Sequence, residues 1–108
     1  MKRSNLGEFE ELVLLVVAKC FGDAYSVIIQ SELKKLANRS VTISTIHVAL
    51  FRLEEKGFLE SRFDGATPER GGRRKHLYRV TKSGYKALAK MRDIRNEIWD
   101  LIPQTAIS

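Results

Sequence analysis

Two short runs in this chain carry side chains with chemistry to offer. The first, VTISTIHVALFRLEEKGFL from Val41 to Leu59, sets Thr42, Ser44, Thr45, His47 and Arg52 beside the apolar Val48 and Phe51. The second, PERGGRRK from Pro68 to Lys75, gathers Arg70, Arg73, Arg74 and Lys75 around the paired Gly71 and Gly72. Hydroxyls, an imidazole and a guanidinium can pair with base edges and phosphates in a DNA major groove, and apolar groups can touch a thymine methyl. Cations on a glycine-rich backbone suit phosphates or a narrow minor groove, because paired glycines let the main chain come close. Each run also has a plain reading: an amphipathic helix with a weakly charged outer face, and a solvated turn.

Nothing comparable points to catalysis. His47 and His76 fall in different segments, with no carboxylate or nucleophile arrangement beside either and no phosphate loop, so an enzyme is not expected. Cys20 is the only cysteine, so neither a disulfide framework nor a thiolate metal site is expected, and no cofactor is implied. Nineteen Lys and Arg against thirteen Asp and Glu leave a formal charge of +6 and a pI near 9.7, which favours a polyanionic partner. No apolar run approaches the roughly 20 residues of a membrane span. Lys2 and Arg3 do precede an apolar run, but Glu8, Glu10 and Glu11 intervene and no small-residue cleavage site follows, so a signal peptide is not expected either. The expectation is a cytoplasmic protein with no membrane partner.

The elements that must position these groups follow from spacing. Ile43, Ile46, Leu50 and Leu53 recur at intervals of three and four, which predicts a helix with this stripe on a core. Glu54 and Glu55 are held back to its last turn, and Gly57 stands where a left-handed cap is needed, so the helix should end near Lys56. Upstream, Asn5 and Glu8 have capping-box spacing at the head of a first helix whose acids lead and whose Lys19 trails. Its run from Leu12 to Ala18 is apolar nearly all round, which predicts cover on more than one side, a partner chain included. Gly22 and Asp23 break it, and Asp23 is placed to cap a second helix from about Ala24 to Ala37, with Tyr25, Ile28, Ile29, Leu33 and Leu36 on one side. Two short helices joined through Asn38, Arg39 and Ser40 make a helix-turn-helix.

Beyond Gly57 the period changes to two. Phe58, Leu59, Ser61 and Phe63 interleave with Glu60 and Arg62, and Leu77 to Val80 reads as a second strand, so the basic run becomes the turn of a hairpin wing. Thr81 then opens a helix of about 20 residues, about 30 Å long, with Pro103 as its stop. Its stripe of Leu88, Met91, Ile94, Ile98, Leu101 and Ile102 has no sequence left to cover the distal half, which suits a partner surface. The expected fold is α+β and mainly helical: a winged helix-turn-helix with a β-hairpin wing and a long C-terminal dimerisation helix. Residues 1–80 form the DNA-binding part, and residues 81–108 the dimerisation helix of the same compact domain.

From about Leu6 to Leu88 the chain resembles the PadR family of bacterial and archaeal winged-helix transcriptional regulators. The resemblance runs through LGEFEELVLL, DAYSVII, RSVTISTIHVALFRLEEKGFL and TPERGGRRKHLYRVTKSG, and is most specific in RLEEKG followed by PERGGRRK and YRVT. It implies a homodimer on operator DNA, most often a repressor, with the C-terminal helix of each chain packed on the other. One helix after the wing looks like the compact subfamily. Two departures stand out: His47 where the family usually has Tyr, and Ser26 where it has Gly after the Tyr25 position. The Tyr hydroxyl contact therefore does not carry over, and His47 either donates to a phosphate or guanine or simply packs.

Spacing and resemblance together assign DNA contact to Thr42, Ser44, Thr45, His47, Val48, Arg52, Arg70, Gly71, Gly72, Arg73, Arg74 and Lys75. Dimer contact falls to Leu12, Val16, Leu88, Met91, Ile94, Ile98, Trp99, Leu101 and Ile102. The resemblance further implies an apolar cavity at the dimer centre, where Val16, Met91, Ile98 and Trp99 would meet a planar aromatic effector; the simpler role for Trp99 is an interface anchor. The competing function is a winged-helix protein-interaction module that does not read DNA. Four cations in the six residues from Arg70 to Lys75 argue against it.

Overall fold

The computed structural model describes residues 6–64 and 75–108. Among the described residues five helices and a hairpin follow in the order α1 (Glu8–Lys19), α2 (Ser26–Ala37), α3 (Ile43–Glu55), β1 (Leu59–Phe63), β2 (His76–Val80), α4 (Lys82–Asp100) and α5 (Gln104–Ile107). The strands pair antiparallel from Leu59 opposite Val80 to Phe63 opposite His76. This is the mainly helical winged helix that the spacing predicts.

The core forms where the predicted stripes converge. Val13, Leu14 and Val17 of α1 meet Ile29 and Leu33 of α2 and Ile46, Leu50 and Leu53 of α3, all fully or almost fully buried. Leu59, Tyr78 and Val80 bring one face of the hairpin onto the same cluster. Gly57 takes the expected left-handed conformation at φ 81°, so the chain turns straight from α3 into β1.

Of the two expected caps, one is replaced and the other lies partly outside the described residues. Asp23 does not cap α2, because the chain runs extended through Ala24 and Tyr25: the Tyr78 N–H donates to the Ala24 carbonyl at 2.9 Å, an isolated third rung beside the hairpin. The helix therefore begins at Ser26, with Tyr25 at its N-cap and no side-chain cap bond. At the head of α1 the N-cap is Gly7, again without a side-chain bond, and Asn5 lies outside the described residues.

The acids of the first turn of α1 do more than face the helix dipole. Glu8 accepts from both terminal nitrogens of Arg39, at 2.7 and 3.1 Å, Glu10 pairs with Lys56 at the end of α3, and Glu11 accepts from Arg95 of α4 at 2.6 Å. One turn thus touches three different parts of the chain. The hydrogen bond from Arg39 holds the Glu8 carboxyl below its ordinary range, and the bond from Lys19 does the same for Glu32.

The start of α4 is clamped to the end of α3. Thr81 donates its hydroxyl to the Gly57 carbonyl at 2.6 Å and accepts from the Gly84 N–H at 3.0 Å, while its own N–H donates to the Phe58 carbonyl at 3.0 Å. Gly84 is buried here, and a Cβ on it would collide with the Phe58 carbonyl oxygen. Farther on, α4 loses its cover. Val16 and Leu88, expected at a dimer contact, are only 6% and 9% exposed and belong to the chain's own core, so that part of the assignment is corrected. The reason is that the all-round apolar α1 is covered by α4 and β2 of the same chain. Ile98, Trp99 and Leu101 are 60%, 61% and 77% exposed, with Met91 and Ile102 half-buried. The helix ends at Asp100 with Leu101 at its C-cap, and Pro103, two residues on, stands at the N-cap of the short α5.

Candidate nucleic-acid interface

The helix-turn-helix is held by a few bonds between its parts. Asn38 closes α2 in the left-handed region at φ 55°, and the Arg39 N–H reaches back to the Leu33 carbonyl at 3.1 Å, which reverses the chain. The Gln30 amide donates to the Val41 carbonyl at 2.8 Å and so fixes the link as it enters α3. Thr42 is the N-cap of α3. Its Oγ1 accepts from the Thr45 N–H at 3.1 Å and shares hydrogen bonds with the Thr45 and Ser44 hydroxyls at 2.9 and 3.2 Å.

With Ile46, Ala49, Leu50 and Leu53 turned inward, the opposite face of α3 is open. Ser44, Val48, Phe51 and Glu55 follow one another along its centre at spacings of four, three and four, flanked by His47 on one side and Thr45 and Arg52 on the other. All seven are exposed, Val48 at 53% and Phe51 at 62%. No carboxylate occurs on this face before the last turn, and there Glu54 is drawn to the hairpin, accepting from the Ser61 hydroxyl at 2.7 Å. The six sequence-assigned residues of α3 and its cap, Thr42 to Arg52, therefore share one exposed surface. What spacing did not show is that three of the hydroxyls are bonded to one another.

The hairpin rises beside this helix on an aromatic stack that the sequence reading missed. The His76 ring lies between Phe63 and Tyr78, with centroids at 4.3 and 4.5 Å, and His76 Nδ1 and the Tyr78 hydroxyl are 3.2 Å apart. Burial, helped by the charge of Glu54, pushes the Tyr78 phenol up from its ordinary range. Once the register places Phe63 opposite His76 the stack is expected; the period-two pattern alone does not give that register. Lys75, at the turn end of the hairpin, holds its ammonium 4.6 Å from the centre of the Tyr25 ring. The other wing residues assigned to DNA, Arg70, Gly71, Gly72, Arg73 and Arg74, lie outside the described residues.

The residues assigned to an effector are not assembled within one chain. Val16 is inside the core, whereas Ile98 and Trp99 project from the uncovered half of α4. A separate open cavity of about 780 Å³ lies between the hairpin, the end of α1 and the start of α4, with Val17, Phe21, Leu77 and Tyr85 among its walls. Among the described residues no group of three or more His, Cys, Asp or Glu could hold a metal ion, and no helix is long and apolar enough to cross a membrane.

Comparison with known proteins bears on this geometry directly. The model of the transcriptional regulator PadR-like family matches residues 13–90. Among solved structures, a PadR-like transcription factor from Bacteroides fragilis is similar at 23% identity and a TM-score of 0.74, over 93% of this chain and 89% of that one. A PadR family regulator from Clostridium difficile R20291 is similar at 25% identity and a TM-score of 0.70, over 93% of this chain and 99% of that one. Bacillus subtilis PadR in complex with operator DNA matches at 22% identity and a TM-score of 0.65, over 90% of this chain and 49% of that one. No curated protein matches the sequence.

Proposed function

The chain belongs to the transcriptional regulator PadR-like family, and from that premise we propose that it acts as a homodimeric repressor on a pseudo-palindromic operator in double-stranded DNA. The observation that carries this reading is the outer face of α3, where hydroxyls, His47, Arg52 and two apolar side chains stand exposed with no carboxylate before the last turn. A like charge there would be repelled by the phosphates; this face is compatible with a groove floor. The B. subtilis relative, in a complex with operator DNA, supports the same use of the fold. Family membership leaves the protein-interaction module unfavoured and gives no reason to expect catalysis.

In this reading residues 1–80 bind DNA and residues 81–108 join two copies, in the cytoplasm. Leu12, Met91, Ile94, Ile98, Trp99, Leu101 and Ile102 supply the contact, and Val16 and Leu88 support it from the core. Two copies of α3 related by a two-fold axis would meet half-sites about 10 to 10.5 base pairs apart, or a multiple of that. A planar aromatic effector would bind where Met91, Ile98 and Trp99 of both chains meet, and release the operator by favouring a different spacing of the two α3 helices. Titration of planar aromatic compounds followed by Trp99 fluorescence tests this: saturable quenching should accompany weaker operator binding, and quenching with unchanged DNA affinity would make Trp99 an anchor alone.

The central test is duplex binding as a function of salt. With roughly six to eight phosphates neutralised per dimer, log K should fall against log salt with a slope of about −5 to −7. A slope near zero overturns the reading. Arg73→Ala and Arg74→Ala should weaken every duplex alike, whereas Ser44→Ala and Arg52→Ala should also blur the preference among sequences.

A further inference from the structure

We infer that Val48 and Phe51 read thymine through its 5-methyl group, so that the preferred half-site must present thymine methyls to the middle of α3. This deepens the DNA-binding reading and rests on it. Both side chains lie on the outward centre of the helix, more than half exposed, while Ile46, Leu50 and Leu53 on the inward side are fully buried. They make no contribution to the core, and a branched valine and a flat phenyl ring are costly to leave against water unless something apolar covers them. They sit three residues apart, about 4.5 Å along the helix axis. That separation is close to the spacing of about 3.4 Å between successive bases of one strand, so both can meet methyls on neighbouring pairs.

The surroundings favour DNA over a protein as the cover. His47 and Arg52 flank the two residues, and the carboxylate on their face, Glu55, stands one turn beyond Phe51, in the last turn of the helix. An apolar pair flanked by an imidazole and the Arg52 guanidinium, on a chain of net charge +6, is complementary to a groove lined by phosphates and floored by methyls. At the start of α3 the Ser44 and Thr45 hydroxyls each share a hydrogen bond with Thr42, which occupies part of their capacity to pair with bases. A larger share of the discrimination between bases then falls to the apolar pair. Valine is stiff at χ1 and loses little freedom when it docks. Burying one methyl group is worth about fourfold in affinity, so two contacted methyls amount to roughly fifteenfold per half-site.

The experiment begins with selection of preferred duplexes by the full-length chain from a randomised library. The selected site is then synthesised with thymine or with uracil, which lacks only the methyl, at each position in turn. Binding is measured at fixed salt. Wild-type protein should lose about fourfold at each of one or two thymines per half-site. Val48→Ala and Phe51→Ala should each abolish the thymine-over-uracil ratio at one of those positions and leave it intact at the other, forming a double-mutant cycle between side chain and methyl. Both residues are exposed, so the variants should melt like the parent chain. Equal binding of thymine and uracil duplexes by a protein that still shows sequence preference and steep salt dependence overturns this inference and leaves the DNA-binding reading standing. So does an unchanged ratio in both variants. A change in self-association for Phe51→Ala, with duplex binding untouched, makes the pair a protein contact and overturns it as well. Failure to select any sequence, together with a flat salt dependence, removes the DNA-binding reading itself.

Discussion

The two halves of α4 are parts of one continuous helix in different surroundings. The first half is tied to α3 through Thr81, buries Gly84 and Leu88, and packs against α1. The second half shows Ile98 and Trp99 to solvent, and Arg95 on Glu11 ties it to α1. The family match stops at residue 90, close to where the cover stops. The contrast teaches that a helix's own periodicity does not say what will cover it: Leu88 and Ile98 belong to the same predicted stripe, yet one is core and the other a surface.

Removing the second half should have the largest effect. A chain ending at Lys90 should sediment as a monomer and bind a two-half-site operator roughly 10²- to 10⁴-fold more weakly, because two linked half-site contacts become one. If it still dimerises, the contrast between the halves has no bearing on assembly. Next comes Gly84→Ala, whose added Cβ meets main chain that cannot move aside. It should cost about 2–3 kcal/mol and lower the melting temperature by about 10–20 °C, by the same amount at every protein concentration. A melt like that of the parent chain would mean that the clamp yields easily.

Trp99→Ala sharpens the other side. It should weaken self-association by about 2 kcal/mol and make the melting temperature depend more steeply on concentration. Sedimentation at several concentrations measures this, and an unchanged dimer would remove Trp99 from the interface. The smallest effect is acid sensitivity within the first half's surroundings. Glu8 and Glu32 have carboxyls held below the ordinary value of 4.5 in the folded chain, each chiefly by a hydrogen bond from its cationic partner. Their contribution is therefore present above that value and lost as pH falls through the lower folded values. Arg39→Ala should flatten the fall in stability below pH 4.5 slightly, and denaturant melts at pH 3.5 and 6 would detect it.

Much of the first contrast was legible in the sequence because its signals are local. The stripe of Ile43, Ile46, Leu50 and Leu53, the Gly57 cap and the Thr81 start depend on neighbours within one turn, and each is where periodicity and cap chemistry put it. What was not legible depends on distant partners. Ala24 leaves the expected helix because Tyr78, far along the chain, offers it a strand bond. The spacing of Glu8, Glu10 and Glu11 announces only the helix dipole, since nothing nearby points to Arg39, Lys56 or Arg95. Val16 was recognised as a residue needing cover, but spacing cannot distinguish cover by α4 of its own chain from cover by another copy. On the candidate interface, residue types singled out side chains that share the exposed outer face of α3, while the bonding of Ser44 and Thr45 to Thr42 required the three-dimensional arrangement of the cap.

The clamp between α3 and α4 is made largely of main-chain atoms: the carbonyls of Gly57 and Phe58, the N–H groups of Thr81 and Gly84, and one threonine hydroxyl. Main-chain groups are common to all residues, so most substitutions along residues 92–100 leave that junction unaltered. Sequence drift on the outer half of α4 is thereby insulated from α3. Substitutions can accumulate at the far end of α4 while the angle between α3 and α4 is inherited unchanged.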